Sequence, residues 1–171
     1  MNLHEDDESM AVSTAELTME TLGHVGRTWH VPKLRWEDPT RVEVHRPVNE
    51  FVRHVLREAR PDGENDWRHI HVMPCDWDLR ESGSGQAITD GLNKIGLAGE
   101  ETNDVTLLHE CAHILRYATD YPNGGGHGPE FQTVVAALYR QHLSPDAADV
   151  FELYLTRVRN RLAGNENQGV S

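Results

Sequence analysis

The sequence predicts an α+β fold, in which a small mixed or antiparallel sheet follows an early helix and precedes later helices. Three observations predict it. Apolar residues recur at helical spacing in "NEFVRHVLREAR", around "VTLLHECAHIL" and twice more after residue 128. Between them, "RVEVHR" and "WRHIHVMP" alternate as half-buried strands do. Clusters of Gly, Pro, Ser and Asp punctuate these stretches.

In order, residues 1–9 predict a disordered acidic tail, 10–163 a single domain and 164–171 a disordered polar end. "STAELTMETLGHV" predicts a first helix capped by Ser13 or Thr14, with Glu16 as a box partner. "RVEVHR" predicts a short strand. "NEFVRHVLREAR" sets Phe51, Val52, Val55, Leu56 and Ala59 on one helical stripe, with Asn49 as cap and Pro61 past the end. "WRHIHVMP" predicts a strand with Arg68, Ile70 and Val72 on one face and His69, His71 and Met73 on the other. "CDWDLRESGSG" reads as a loop. "QAITDGLNKIGLA" reads as two strand pieces about a turn at "TDG", or as one interrupted edge strand.

The next helix has Val105, Leu108, Ala112 and Leu115 on its stripe and Thr102, Asn103 or Asp104 as cap. Pro122 and three glycines stop it. Pro129 suits the first turn of a following helix, and Ser144 caps a last one that opens on Pro145.

Composition bounds the function. The 171 residues are 37% hydrophobic and 26% charged, with no apolar run near the length of a membrane span. The opening "MNLHEDDESM" lacks a basic-then-apolar leader, so a cytoplasmic location is expected. Two cysteines, Cys75 and Cys111, cannot build a disulfide framework or a four-cysteine zinc site. Cys111 reads as a small buried apolar residue. The net charge of −12 repels nucleic acid at long range. Residues 27–60 run against that trend, with eight basic residues against five acids. Ordinary solvated charges explain them more simply than one basic face.

The chemistry concentrates in "LLHECAHILRYATDYPNGGGHGPEF", residues 107–131. His109 and His113 are four apart, so on a helix their rings share one face and can converge on one ion. Glu110 is displaced by about 100° around the axis, placed to reach an activated water without ligating the metal. A catalytic zinc site needs a third protein ligand and one open position. The residues offer His127 and Glu130 for it, and favour His127 because the Gly124–Gly126 run lets the chain reverse tightly. Glu130 then serves to orient a ligand histidine or to cap its helix. The remaining histidines, His69 and His71 included, read as surface or core residues.

This stretch resembles the active-site segment of the SprT/Spartan family of zinc metallopeptidases. The shared features are the apolar lead-in, H-E-x-x-H on a helix, a Gly-containing turn, and H-G-P-E-F opening the next helix. The resemblance implies a zincin-like core with an active-site helix and Zn2+ as cofactor. It implies His109, His113 and His127 as metal ligands and Glu110 as general base. The implied reaction is hydrolysis of peptide bonds in a protein or peptide substrate by metal-activated water. A strand at "NKIGLA" would flank the cleft and pair with an extended substrate. Tyr117 and Tyr121 lie near in sequence but read as packing residues. Imidazole ligands also suit divalent ions other than zinc.

Family members often carry a Cys-rich zinc module or a basic DNA-binding tail after the core, and this sequence displays neither. The resemblance therefore carries the protease core, while net charge disfavours DNA as a partner. Two other readings stand beside it. One is a zinc hydrolase with a dedicated regulator or a non-peptide substrate. The other is a non-catalytic, metal-stabilised binding module. Glu110 argues against the latter, because structural zinc is usually closed by four protein ligands and has no use for a base.

Overall fold

The computed structural model describes residues 3–63, 67–75, 87–91, 93–120 and 125–166. The architecture is α+β, with five helices and two small sheets among these residues. Two compact units are present: residues 26–125, and residues 1–25 with 126–171.

The first of these holds both sheets. Strand β1 (Thr28–His30) pairs antiparallel with β5 (Glu101–Asn103), in a register that sets Trp29 opposite Thr102. Strands β2 (His71–Pro74), β3 (Ala87–Thr89) and β4 (Lys94–Leu97) form the other sheet in the order β2-β4-β3. β4 runs parallel to β2 and antiparallel to β3. The "TDG" segment is thus a hairpin connection, the first of the two arrangements expected there. Asp90 builds it: its Oδ1 accepts from the backbone N–H groups of Asn93 (2.9 Å) and Lys94 (3.0 Å). β4 is central, with both edges already paired, which corrects the expectation that it pairs with substrate.

The "RVEVHR" stretch is not a strand. It forms the first turns of α2 (Arg41–Ala59). Six residues of alternation are outweighed by a longer helical stripe, in which His45, Val48, Asn49, Val52, Val55 and Leu56 are buried. Val42 and Val44 are exposed on the opposite side. Pro47 is accommodated because it lies on the solvent side of the helix. Asn49 is therefore no cap. It is buried mid-helix, where its Oδ1 accepts from the Val72 backbone N–H at 2.7 Å and ties α2 to β2. Strand β2 is shorter than expected, because Trp67 is buried in the preceding turn and donates its Nε1–H to the Arg60 carbonyl (3.1 Å). The loop expectation for residues 76–85 lies outside the described residues.

Helix α3 (Asp104–Thr119) follows β5 directly. Its cap is Asn103, whose Oδ1 accepts from the Thr106 N–H (3.0 Å). Asp104, at the first helical position, is buried and accepts from the Arg27 N–H (2.9 Å) and Trp29 Nε1–H (2.7 Å). Trp29 in turn stacks on Phe51 of α2 (5.3 Å between ring centroids), with the Arg27 guanidinium over both rings. One carboxylate thus ties the start of α3 to β1, which carries the Trp29 that stacks on α2.

The other unit is helical: α1 (Glu5–Thr21), α4 (Pro129–His142) and α5 (Pro145–Glu166). α1 begins at Glu5 rather than at Ser13, so residues 5–9 of the acidic segment are helical. Glu5, Asp6, Asp7 and Glu8 fill the first turn, where negative charge complements the helix dipole. Ala11, Val12, Ala15 and Met19 are buried along its inner face. Glu8 is buried as well, accepting from Gln132 Nε2 (2.6 Å) and Arg159 Nη2 (2.8 Å) and so joining all three helices. Tyr139 adds a second tie through its hydroxyl to Glu16 Oε1 (2.6 Å). Pro129 and Pro145 occupy first-turn positions, and the Ser144 Oγ accepts from the Ala147 N–H (3.0 Å), as expected. No helix among the described residues is long and apolar enough to cross a membrane.

Candidate metal centre

Within residues 26–125, α3 carries His109, Glu110 and His113. The helix is amphipathic and its inner face is fully packed: Leu107, Leu108, Cys111 and Ala112 are inaccessible to solvent. That packing fixes the rotation of the helix and hence the direction of the two rings. Their Nε2 atoms face one another at 3.2 Å, with ring centroids 4.9 Å apart and planes at 68°. Two nitrogens bound to one tetrahedral zinc at roughly 2.0–2.1 Å lie about 3.3 Å apart. The histidine pair thus already has the separation that a shared ion demands. A donor set of two neutral imidazoles fits zinc and other divalent transition ions.

Glu110 is only 5% exposed and His113 8% exposed, while His109 is half-buried. Cys111 takes no part in ligation. Burial, reinforced by the negative Glu110, pushes its thiol far above the ordinary range, so it stays neutral as the small apolar residue expected.

Tyr117, one turn beyond His113, packs as expected. Its ring lies against Gly91 in the hairpin turn, and a Cβ there would sit inside van der Waals contact of the ring. Gly91 also has φ +73°, the left-handed region. Gly91→Ala is expected to cost at least about 1–2 kcal/mol from the backbone alone, with the ring clash added. Gly99→Ala, where a Cβ meets nothing within 4 Å, is the control for the same thermal melt. Tyr121 and Gly124 lie outside the described residues.

In the helical unit, His127 precedes α4 by two residues, and its surroundings are specific. Its backbone N–H donates to Glu5 Oε1 (2.8 Å), and its Nδ1 lies 3.4 Å from the same oxygen. The ring packs edge-on against Phe131 (4.9 Å), and Gln132 Nε2 donates to the His127 carbonyl (2.9 Å). Gly126 makes room for this: a Cβ on it would approach the Glu5 carboxylate to 2.9 Å. Nδ1 is thus turned to a carboxylate, the kind of contact that orients a metal-binding imidazole. Glu5 is the residue that the sequence did not disclose. It stood in a segment expected to be disordered, 122 positions from its histidine. Of the two roles expected for Glu130, its exposed position on the first turn of α4 suits the helix end.

Residues 88–150 match the model of the SprT-like family. The chain is similar to that family over this stretch, from β3 through α3 and α4 into the first turns of α5. The match agrees with the zincin-like α+β core that the sequence implies, and it points to a metallopeptidase-like domain. No curated protein and no solved structure matches the chain.

Proposed function

We propose that this chain is a zinc-dependent metallopeptidase in which His109, His113 and His127 hold the metal and Glu110 is the general base. The observation that carries the reading is the facing pair of Nε2 atoms on α3, 3.2 Å apart, beside a buried carboxylate. The motif spacing and the family similarity support His127 as third ligand, and its Nδ1 contact with Glu5 supports Nε2 as the donor atom. When bound, zinc supplies Lewis acidity, polarising a peptide carbonyl and acidifying water. Glu110 accepts the proton of the attacking water on a carboxylate oxygen. It then delivers that proton to the amide nitrogen, so the amine leaves neutral. The packed inner face of α3 keeps Glu110, His109 and His113 in fixed register, so little reorganisation accompanies the step.

With β4 paired on both sides, an extended substrate can add only at an outer strand of the β2-β4-β3 sheet. β3 is favoured because α3 packs against it. Backbone pairing of that kind reads little sequence, so an unstructured protein should serve as substrate. The test is cleavage of casein by the metal-loaded protein, with a chelator control and elemental analysis of the same sample. About one zinc per chain with chelator-sensitive cleavage is expected. Full zinc without cleavage would turn the reading towards a hydrolase with a dedicated or non-peptide substrate, and no metal under any loading would end it.

Glu5 offers a further check. Carboxylates that orient a ligand histidine are typically worth about 10–100-fold in metal affinity. Glu5→Gln is expected to weaken zinc binding by about tenfold in a competition titration with a chromophoric chelator. An unchanged affinity would remove Glu5 from the site.

A further inference from the structure

We propose that the cleft between α2 and β2, remote in sequence from the H-E-x-x-H helix, binds a phosphate group. The cleft encloses about 120 Å³ and is lined by Arg41, Arg46, Asn49 and Arg53 of α2 together with His71 of β2. In a chain of net charge −12, clustering of three guanidinium groups around one small cavity runs against the overall balance.

Arg41 and Arg53 are held in place by groups that leave their charge standing. Arg41 lies over the Trp36 ring, 3.9 Å from its centroid. Arg53 Nη2 donates to the Ile70 carbonyl (3.0 Å). Neither guanidinium has a carboxylate partner among the described residues, and the Nε of each is buried without a hydrogen bond. Arg46 is paired with Glu43 at the outer side of the helix. Pinned but unneutralised arginines are pre-organised for an anion, because little side-chain freedom remains to be lost on binding.

Asn49 adds a neutral donor. It is 6% exposed and its Oδ1 is engaged by the Val72 N–H, which leaves its NH2 group for a ligand. His71 reports the local field. Burial, and then the positive Arg53 and Arg41 with His69 and Lys94 behind them, holds its imidazole below the ordinary value. Glu50 is the one carboxylate lining the cleft. With Arg46 held by Glu43, the unneutralised Arg41 and Arg53 face that single carboxylate, so the cleft keeps a net positive charge, and a phosphate has enough oxygens to accept from both guanidiniums at once.

The experiment is isothermal titration of inorganic phosphate into the full chain at constant ionic strength. Saturable one-site binding is expected in the wild type. Arg41→Gln should weaken it by about tenfold, the worth of one charge-assisted hydrogen bond, and Arg41→Gln with Arg53→Gln should abolish it. Arg57→Gln, on the exposed side of the same helix, should leave it unchanged. Arg41→Gln alone keeps the test decisive if loss of the Arg53–Ile70 bond perturbs folding, which circular dichroism checks. Absence of saturable binding would overturn the proposal. So would equal affinity in Arg41→Gln, since that heat would arise elsewhere, including at a metal. Competition then identifies the source: displacement by a small phosphate monoester points to a terminal phosphate, and displacement by a single-stranded oligonucleotide to a phosphodiester backbone.

Discussion

Glu110→Gln is expected to retain the metal and to lose about 100- to 10,000-fold in peptide hydrolysis, the usual contribution of a positioned general base. The substitution keeps the size of a side chain that is 5% exposed and packed in the middle of α3, so the helix and the His109–His113 pair should persist. What it removes is the capacity to take up a proton. The loss should therefore fall on turnover rather than on substrate binding, leaving KM close to that of the wild type. Steady-state kinetics on casein, with zinc measured in the same preparation, reads both. Undiminished turnover with the metal bound would remove Glu110 from the reaction and leave the H-E-x-x-H pattern as a metal-binding helix only.

The second large effect concerns the third ligand. His127→Ala is expected to abolish stoichiometric zinc, whereas Glu130→Ala should retain it. The two residues are the rivals that the sequence offers, and their surroundings differ. His127 has its Nδ1 against Glu5, its ring against Phe131 and its carbonyl fixed by Gln132. Glu130 is exposed at the start of α4, where a carboxylate suits the helix dipole without any metal. Elemental analysis of the two variants beside the wild type decides between them. Full zinc in His127→Ala and loss in Glu130→Ala would exchange their roles while leaving the enzyme class intact.

Much of the arrangement was legible in advance because it is local. The four-residue spacing of His109 and His113 needs only a helix to become a facing pair, and the apolar stripe of Val105, Leu108 and Ala112 requires that helix. The caps at Asn103 and Ser144 and the first-turn prolines are also short-range chemistry, satisfied within a few residues. The misreadings have a common physical origin. "RVEVHR" alternates, yet its fate was decided by the stripe that continues to Leu56 and by the Asn49 bond to Val72 across the fold. Residues 5–9 carry a charge pattern typical of a solvated tail. They are helical because Glu8 meets Gln132 and Arg159 from more than 120 positions away.

By itself, then, the sequence determined the α+β class, the helix that sets His109 and His113 face to face, and the likeness to the SprT-like family. Each follows from periodicity or from residue types at fixed short spacing, which any folded context preserves. Tertiary structure alone decided which carboxylate orients His127, that β4 is a central strand, and that arginines scattered over residues 41–53 gather at one cleft with His71. Those are outcomes of long-range packing, where the partner of a side chain is set by which surfaces bury together, and no spacing along the chain records it.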